Sequence, residues 1–409
     1  MNELSSLGLI LLLALLAGHL VKFLRIPEVT GYILAGIALG PSVLGWVSHD
    51  NLVALEVLSE VALGLILFSV GSVFQFTRLR RFGPRILYLT LIESTLACLA
   101  VLLGALAMGQ PWQVAFLLGA IAIETAPAST LMVVRELNSR GPVSDTLLGI
   151  IAINNLFTLS AYTFVAAAIE LAGGFDSSAG FLSVGYAVFQ NMVFPLVWQL
   201  AGSAALGYLV GLLVAGWATK VTEHGEMLML LAGSIMLAVG ASRILDLSPL
   251  VASLAVGATM VNLSQRSRGI FSALTRTDPP FYAIFFVLAG ADLNLSLVGT
   301  MGTLGAIYVI GRAAGKFAGA SIGARRLNLD PMVQRWLGFA LLAQAGLAVG
   351  ITLAIGRRFP DFGPTITTVV LSSVVIYEMI GPISARFALM RSGESRPQEA
   401  AAMATGLVD

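Results

Sequence analysis

The segment AIAIETAPAST, residues 120–130, places an acid, a hydroxyl and a proline inside a long apolar run. Glu124 can bind a cation or a proton, Thr125 offers a neutral oxygen, and Pro127 interrupts a helix. A second interrupted apolar run, LLAQAGLAVG, carries Gln344 and Gly346. Broken membrane helices turn unpaired carbonyls and half-helix ends toward a ligand. We therefore expect the functional centre at these two interruptions.

Two adjacent amides, Asn154 and Asn155, lie near the middle of the apolar run GIIAINNLFTLSAYT. Their carbonyl oxygens can ligate a hard cation such as Na⁺ or K⁺, but neither side chain can carry a proton. Hydrogen bonds to a neighbouring helix remain an open alternative for both residues.

Two basic residues, Arg312 and Lys316, lie in GRAAGKFAGASIG. A charge at the centre of a span costs roughly 2.5–3.5 kcal/mol, so we expect both to balance negative charge in the site. Glycine recurs at every fourth position from 311 to 323, which predicts a smooth ridge for close helix packing. GRAAGK lacks the spacing and the hydroxyl of a phosphate loop, which excludes nucleotide binding.

Other chemistry-bearing residues are sparse. Glu93, Asp292 and Glu378 lie inside spans or near span ends. For Glu93 and Glu378 a structural ion pair or an interfacial position is as reasonable as an ion path, and for Asp292 the structural or interfacial position is favoured. The single cysteine, Cys98, excludes an internal disulfide. The histidines have no metal-binding spacing, and no nucleophile–base pair or cofactor motif occurs, so we expect neither a resident cofactor nor an enzyme. The histidines are His19, His49 and His224.

The composition identifies the environment of the chain. Of 409 residues, 57% are hydrophobic and 11% are charged. Soluble domains have about 25% charged residues, so this chain cannot cover a water-facing surface and must lie in a lipid bilayer. The net charge of +1 gives no reason to expect a nucleic-acid partner.

A bilayer crossing takes about 20 apolar residues in a helix, and the sequence predicts thirteen such spans. They are residues 4–24, 31–46, 54–74, 84–108, 112–135, 144–172, 187–218, 225–243, 249–264, 280–298, 299–323, 335–356 and 363–390.

Lysine and arginine follow the odd-numbered spans, with Arg357 and Arg358 as the main exception. Because cytoplasmic loops are enriched in these residues, the N-terminus is predicted outside and the C-terminus in the cytoplasm. The basic residues after odd-numbered spans are Lys22, Arg25, Arg78, Arg80, Arg81, Arg85, Arg135, Arg140, Lys220, Arg266, Arg268, Arg276, Arg325, Arg326, Arg335, Arg391 and Arg396.

The two interrupted spans, the fifth and the twelfth, lie seven spans apart and therefore cross the membrane in opposite directions. This arrangement predicts inverted repeats with a site at the midplane. We expect a single transmembrane transporter domain over residues 1–390, followed by a short cytoplasmic tail over 391–409. Within the domain we expect repeat one at 1–172, a connector span at 187–218 and repeat two at 225–390.

Several motifs together point to a family. They are IPEVTGYILAGIALGPSVLG, LSEVALGLILFSVG, TAPAS, LDLSPLVASLAVGATMVN, FYAIFFVLAGADLNL and GRAAGK. Over nearly its whole length, the chain resembles the monovalent cation/proton antiporter superfamily, in its Kef-type and sodium/proton exchanger branch. This resemblance implies an all-α membrane fold of thirteen spans, with crossed broken helices, a panel domain and a mobile core domain. It also implies a homodimer in a bacterial-type inner membrane and elevator-like alternating access.

The departures from the family pattern concern the ion site. The family's sixth span usually carries Asp-Asp or Asn-Asp, and this aspartate takes up the cation or protons. Asn154 and Asn155 stand there in this chain, while Glu124 occupies a position before the crossing-helix threonine that is usually small. The resemblance makes Lys316 the partner of the missing acid, so its partner here must be another group. The nucleotide-sensing domain of Kef systems is expected to be absent from this chain.

The resulting hypothesis is exchange of Na⁺ or K⁺ for H⁺ with Glu124 as the carrier, since exchange needs one group that binds either ion. Thr125, the two asparagines and broken-helix carbonyls would supply neutral oxygens, and Lys316 would balance charge. A cation uniporter, channel or non-transporting sensor that has lost proton coupling remains the alternative. An anion carrier centred on Lys316 is disfavoured because Glu124 would neutralise the lysine.

Overall fold

The computed structural model describes residues 3–24, 26–71, 74–173, 189–221, 223–264 and 267–395, and every regular element in them is helical. The first seven helices are α1 Glu3–Phe23, α2 Glu28–Leu39, α3 His49–Gly71, α4 Phe76–Ala107, α5 Trp112–Ala122, α6 Pro127–Glu136 and α7 Pro142–Gly173. The remaining helices are α8 Phe194–Val197, α9 Ser203–Ala218, α10 His224–Ile244, α11 Pro249–Leu263, α12 Ser267–Asp292, α13 Ser296–Thr300, α14 Gly302–Arg326, α15 Pro331–Ala340, α16 Gly346–Arg358 and α17 Gly363–Arg391. Two π-helical turns, Phe189–Val193 and Trp198–Gly202, flank α8.

The helices have the length and surface of membrane spans. Among the described residues, eight helical stretches are long and apolar enough to cross a bilayer, and four shorter helices are also apolar. Large apolar side chains on α1, such as Leu12 and Leu15, are more than half exposed, as expected for a lipid-facing surface. The predicted all-α membrane fold is confirmed, whereas the count of thirteen spans stays a prediction.

Two sets of helices pack more extensively within themselves than with each other. One set comprises α4 to α7 and α14 to α17, and the other comprises α1 to α3 and α9 to α12. Residues 187 and 188 of the predicted connector and residues 396–409 of the predicted tail lie outside the described residues. The division into repeats and the orientation of the termini stay predictions, because a chain without its membrane shows neither.

Helix α14 packs against α4 along its glycine positions. A Cβ atom on Gly315 would lie 2.6 Å from the Cα atom of Ala97, and one on Gly319 would lie 2.5 Å from the Cα atom of Glu93. Such distances are too short for any side chain, so the two backbones require glycine there. The predicted ridge is thereby confirmed, and the close approach places Glu93 next to α14.

The two interruptions lie where the sequence predicts them. Helix α5 ends at Ala122 and α6 begins at Pro127, a position that proline favours because its missing N–H would be unpaired there anyway. The backbone N–H of Ala126 donates to the carbonyl of Ala343 over 3.0 Å. This bond joins the segment between α5 and α6 to the segment between α15 and α16, so the two broken helices meet at their breaks.

Several helices extend beyond the predicted spans. Helix α12 begins at Ser267, well before the predicted start at 280, and α4 begins at Phe76 rather than 84. Both extensions are rich in charged residues, and hydropathy alone assigns such residues to loops. Helix α2, in contrast, ends at Leu39 rather than 46, because Gly40 to Gly45 form turns.

Candidate functional site

Arg312 connects the two interruptions. Its Nη1 atom donates to the carbonyl of Leu342 over 2.8 Å, and its Nη2 atom donates to the carbonyls of Glu124 at 2.5 Å and Ala343 at 3.2 Å. The guanidinium is fully buried and lies 4.3 Å from the centre of the Tyr377 ring. Carbonyls at helix C-termini carry partial negative charge and lack a partner within the helix. The single guanidinium of Arg312 therefore provides hydrogen bonds to carbonyls at the ends of both broken helices.

Lys316, one turn further along α14, binds three groups at the same place. Its Nζ atom donates to the carbonyl of Ile123 over 2.6 Å and to the hydroxyl of Thr125 over 2.8 Å. The same atom lies 2.5 Å from Oε1 of Glu93, and both charged side chains are completely buried. The partner of Lys316 is therefore an acid of α4.

Protein donors occupy the carbonyls of both interruptions. Gln344 Nε2 donates to the carbonyl of Ile121 over 3.2 Å, and the Thr125 hydroxyl donates to that of Leu341 over 3.3 Å. With the bonds from Arg312 and Lys316, the acceptors are the carbonyls of Ile121, Ile123, Glu124, Leu341, Leu342 and Ala343. These six broken-helix carbonyls, of a kind expected above as cation ligands, are thus occupied in this structure.

A polar cluster surrounds Glu93. Asn154 Nδ2 donates to Oε2 of Glu93 over 3.3 Å and to the hydroxyl of Ser94 over 3.2 Å, and this hydroxyl lies 3.3 Å from the same carboxylate oxygen. Asn154 Oδ1 is buried without a hydrogen-bond partner among the described residues. The sequence left an ion pair, an interfacial position and an ion path open for Glu93; the structure shows the ion pair and excludes the interfacial position.

Glu124 presents a second buried acid at the crossing. Its Oε2 atom accepts a 3.3 Å hydrogen bond from the backbone N–H of Ala345, whereas its Oε1 atom has no hydrogen-bond partner in the described part of the chain. Glu378 of α17 is also buried, interacts electrostatically with Glu124, and has an Oε2 atom that likewise lacks a described partner. The sequence left Glu378 open, and its proximity to Glu124 follows from helix packing rather than from any local pattern.

The other predicted site residues are less central. Asn155 is half-buried, and its Oδ1 atom has no hydrogen-bond partner among the described contacts. Gly346 begins α16 without binding a side chain in any described contact, and Asp292 is exposed at the end of α12. The sequence did not place Glu93 in the site. The signal that could have found it is Lys316, a buried lysine that needs an acidic partner and has none on the sixth span.

The chain matches the sodium/hydrogen exchanger transmembrane family over residues 8–389. It is 23% identical to an ammonium/H⁺ antiporter subunit, AmhT, of Alkalihalophilus pseudofirmus, over 94% of this chain and 95% of that protein. It is also 23% identical to the Na⁺/H⁺-K⁺ antiporter GerN of Bacillus cereus, over 91% and 93% of the two chains.

A solved structure shares the fold. The sodium proton antiporter MjNhaP1 of Methanocaldococcus jannaschii superposes with a TM-score of 0.74 at 19% identity, covering 97% of this chain and 99% of that one. At this identity the likeness concerns the fold alone, and the family match carries the assignment. The chain belongs to the sodium/hydrogen exchanger family, whose members are membrane antiporters of monovalent cations and protons rather than enzymes.

Proposed function

We propose that this protein exchanges a monovalent cation, Na⁺ or K⁺, for H⁺, and that the carboxylate of Glu124 binds either ion in turn. The observation that carries this proposal is the position of Glu124, fully buried at the crossing of two broken helices with one oxygen unpartnered among the described residues. A buried acceptor without a partner costs free energy, so a ligand that occupies it during the transport cycle gives a reason for its presence.

Neutral oxygens suited to a small cation occur at the crossing and on α7. The Thr125 hydroxyl lies at the crossing, and Asn155 of α7 holds a buried amide oxygen without a described partner, whereas the Asn154 amide contacts Glu93. Carbonyl and hydroxyl oxygens are ligands that hard cations prefer. Arg312 and Lys316 provide positive charge near the carboxylates while the cation is absent, which limits the cost of burying these acids.

The named relatives support the coupling to protons, because one is an ammonium/H⁺ antiporter subunit and another a Na⁺/H⁺-K⁺ antiporter. The packing supports elevator-like alternating access, since the site lies wholly within the helix set α4 to α7 and α14 to α17. In this proposal that set moves against the other helices, within a homodimer in a bacterial-type inner membrane.

The experiment is cation-driven proton movement in proteoliposomes. With a Na⁺ or K⁺ gradient imposed, the wild-type protein is expected to change the internal pH, and Glu124→Gln is expected to abolish this change. Glu223→Gln, an exposed acid outside the site, is the matched control and is expected to behave as wild type. Proton movement that persists in Glu124→Gln overturns the role of Glu124.

A proton-uncoupled uniporter, channel or sensor is the second candidate. Two observations favour it: Asn154 and Asn155 carry no proton, and the acid Glu93 is already paired with Lys316. Cation flux without proton movement in the same proteoliposomes distinguishes a uniporter or channel from an antiporter. No flux of either ion excludes the uniporter and the channel and leaves the sensor.

A further inference from the structure

The Glu93–Lys316 pair is costly as a purely structural device. Two charges taken out of water lose much of their hydration, and a well-packed apolar pair of similar size is often at least as stable. Both side chains here are completely buried, and the two helices already pack closely through glycines. The pair therefore calls for a role beyond holding α4 against α14.

The contact between the two charges can open without leaving either group unpartnered. Lys316 also donates to the carbonyl of Ile123 and to the hydroxyl of Thr125. Glu93 also accepts from Asn154 Nδ2 and lies next to the Ser94 hydroxyl. Each group thus retains polar contacts if the other is displaced, which lowers the cost of exchanging the ammonium for another cation.

Neutral oxygens lie beside the carboxylate. The Oδ1 atom of Asn154 is buried without a described partner, on the same amide whose nitrogen contacts Glu93. The Ser94 hydroxyl oxygen is 3.3 Å from the carboxylate. A carboxylate with an amide oxygen and a hydroxyl oxygen is a set of hard ligands suited to Na⁺ or K⁺.

A cavity of about 540 Å³ is lined in part by residues of α4 and α7, the two helices that carry Glu93 and Asn154. Its lining includes exposed Arg85 and Asp145 as well as the partly or fully buried Ile153 and Ala152. Ile153 directly precedes Asn154 on α7. Ile86, a lining residue of α4, lies two helical turns before Glu93 on the same helix face.

We propose that Glu93 is a second cation-binding carboxylate, separate from Glu124, at which Na⁺ or K⁺ competes with the ammonium of Lys316. The Asn154 amide oxygen and the Ser94 hydroxyl complete this site. This inference rests on the proposed exchange function, because the cation that binds at Glu93 is taken to be the Na⁺ or K⁺ that the protein exchanges.

The test is the apparent KM for Na⁺ and for K⁺, measured in proteoliposomes that contain equal amounts of folded protein. Glu93→Gln removes the charged ligand and is expected to raise KM about ten-fold or more. Lys316→Gln removes the ammonium group that competes with the cation but keeps an uncharged N–H donor, so KM is expected to fall. The double variant Glu93→Gln/Asn154→Asp moves the carboxylate to the neighbouring side chain, and its KM is expected to return toward the wild-type value.

A purely structural ion pair gives a different result. The variants then differ in yield or thermal stability, but their KM values equal that of the wild type, and this outcome overturns the inference. If Glu93→Gln does not fold, Lys316→Gln carries the test, since an unchanged or increased KM contradicts competition.

If the wild-type protein exchanges no ions, the proposed function itself fails. Calorimetric titration of purified wild-type and Lys316→Gln protein with Na⁺ or K⁺ then decides the inference separately: tighter binding by the variant supports it, and equal or absent binding overturns it.

Discussion

The ammonium of Lys316 lies 2.5 Å from the carboxylate of Glu93, and neither side chain is exposed to solvent. In the family pattern that this chain resembles, the lysine faces an acid of the sixth span, whereas here it faces an acid of α4. The sixth-span residue Asn154 still contacts the same carboxylate through its amide nitrogen. In this chain the acid that pairs with the lysine therefore lies on α4, and the sixth-span amide contacts the same carboxylate.

The ion pair is expected to show strong coupling in stability measurements. Removal of one partner leaves an uncompensated buried charge and costs about 3–5 kcal/mol, whereas removal of both costs much less. Glu93→Gln is therefore expected to lower the thermal stability of the purified protein more than Glu93→Gln/Lys316→Gln does. Lys22→Gln, which removes a half-exposed lysine paired with Glu28, serves as the control with little effect. Additive losses in the double variant would refute the coupling.

The glycine ridge of α14 is expected to tolerate alanine at one position and not at another. In Gly319→Ala the new Cβ would lie 2.5 Å from the Cα atom of Glu93, so α4 and α14 must separate at a cost of about 1–3 kcal/mol. In Gly311→Ala the nearest neighbour is the carbonyl oxygen of Ala100 at 3.4 Å, an ordinary contact. Thermal unfolding of both variants checks this expectation, and equal melting temperatures contradict the packing described here.

Arg312 is expected to be irreplaceable by lysine. A lysine keeps the charge but not the planar fork that reaches Leu342, Ala343 and Glu124 carbonyls. Each lost hydrogen bond to a charged group costs about 1.5–3 kcal/mol, so Arg312→Lys should lower the melting temperature clearly. Arg326→Lys, at the exposed end of the same helix, should not. A wild-type melting temperature for Arg312→Lys would show that the two breaks do not depend on the guanidinium.

Glu394, just beyond the last helix, is expected to stabilise the start of α7. Its carboxylate accepts from the backbone N–H groups of Val143 at 2.6 Å and Ser144 at 2.8 Å, and from the Ser144 hydroxyl at 2.7 Å. An anion at a helix N-terminus contributes up to about 2 kcal/mol in a buried position. Glu394→Gln should therefore speed hydrogen exchange of these two amides, with Glu223→Gln as the control. Unchanged protection would mean that the cap contributes nothing.

The sequence predicts those features that depend on local pattern. Apolar runs predict the membrane helices, and Pro127 with the polar residues around it predicts the first break, because both signals lie in the chain itself. The pairing of Glu93 with Lys316 cannot be predicted from local pattern, because it depends on which face of α4 packs against α14. The glycine spacing showed that a close partner exists but not which helix provides it.

The most direct test of the account is the simultaneous recording of cation and proton fluxes in proteoliposomes of the wild-type protein. A Na⁺ or K⁺ gradient is expected to drive protons in the opposite direction, and this coupling is expected to disappear in Glu124→Gln. Cation movement with no accompanying proton movement, or coupling that survives the loss of Glu124, would contradict it.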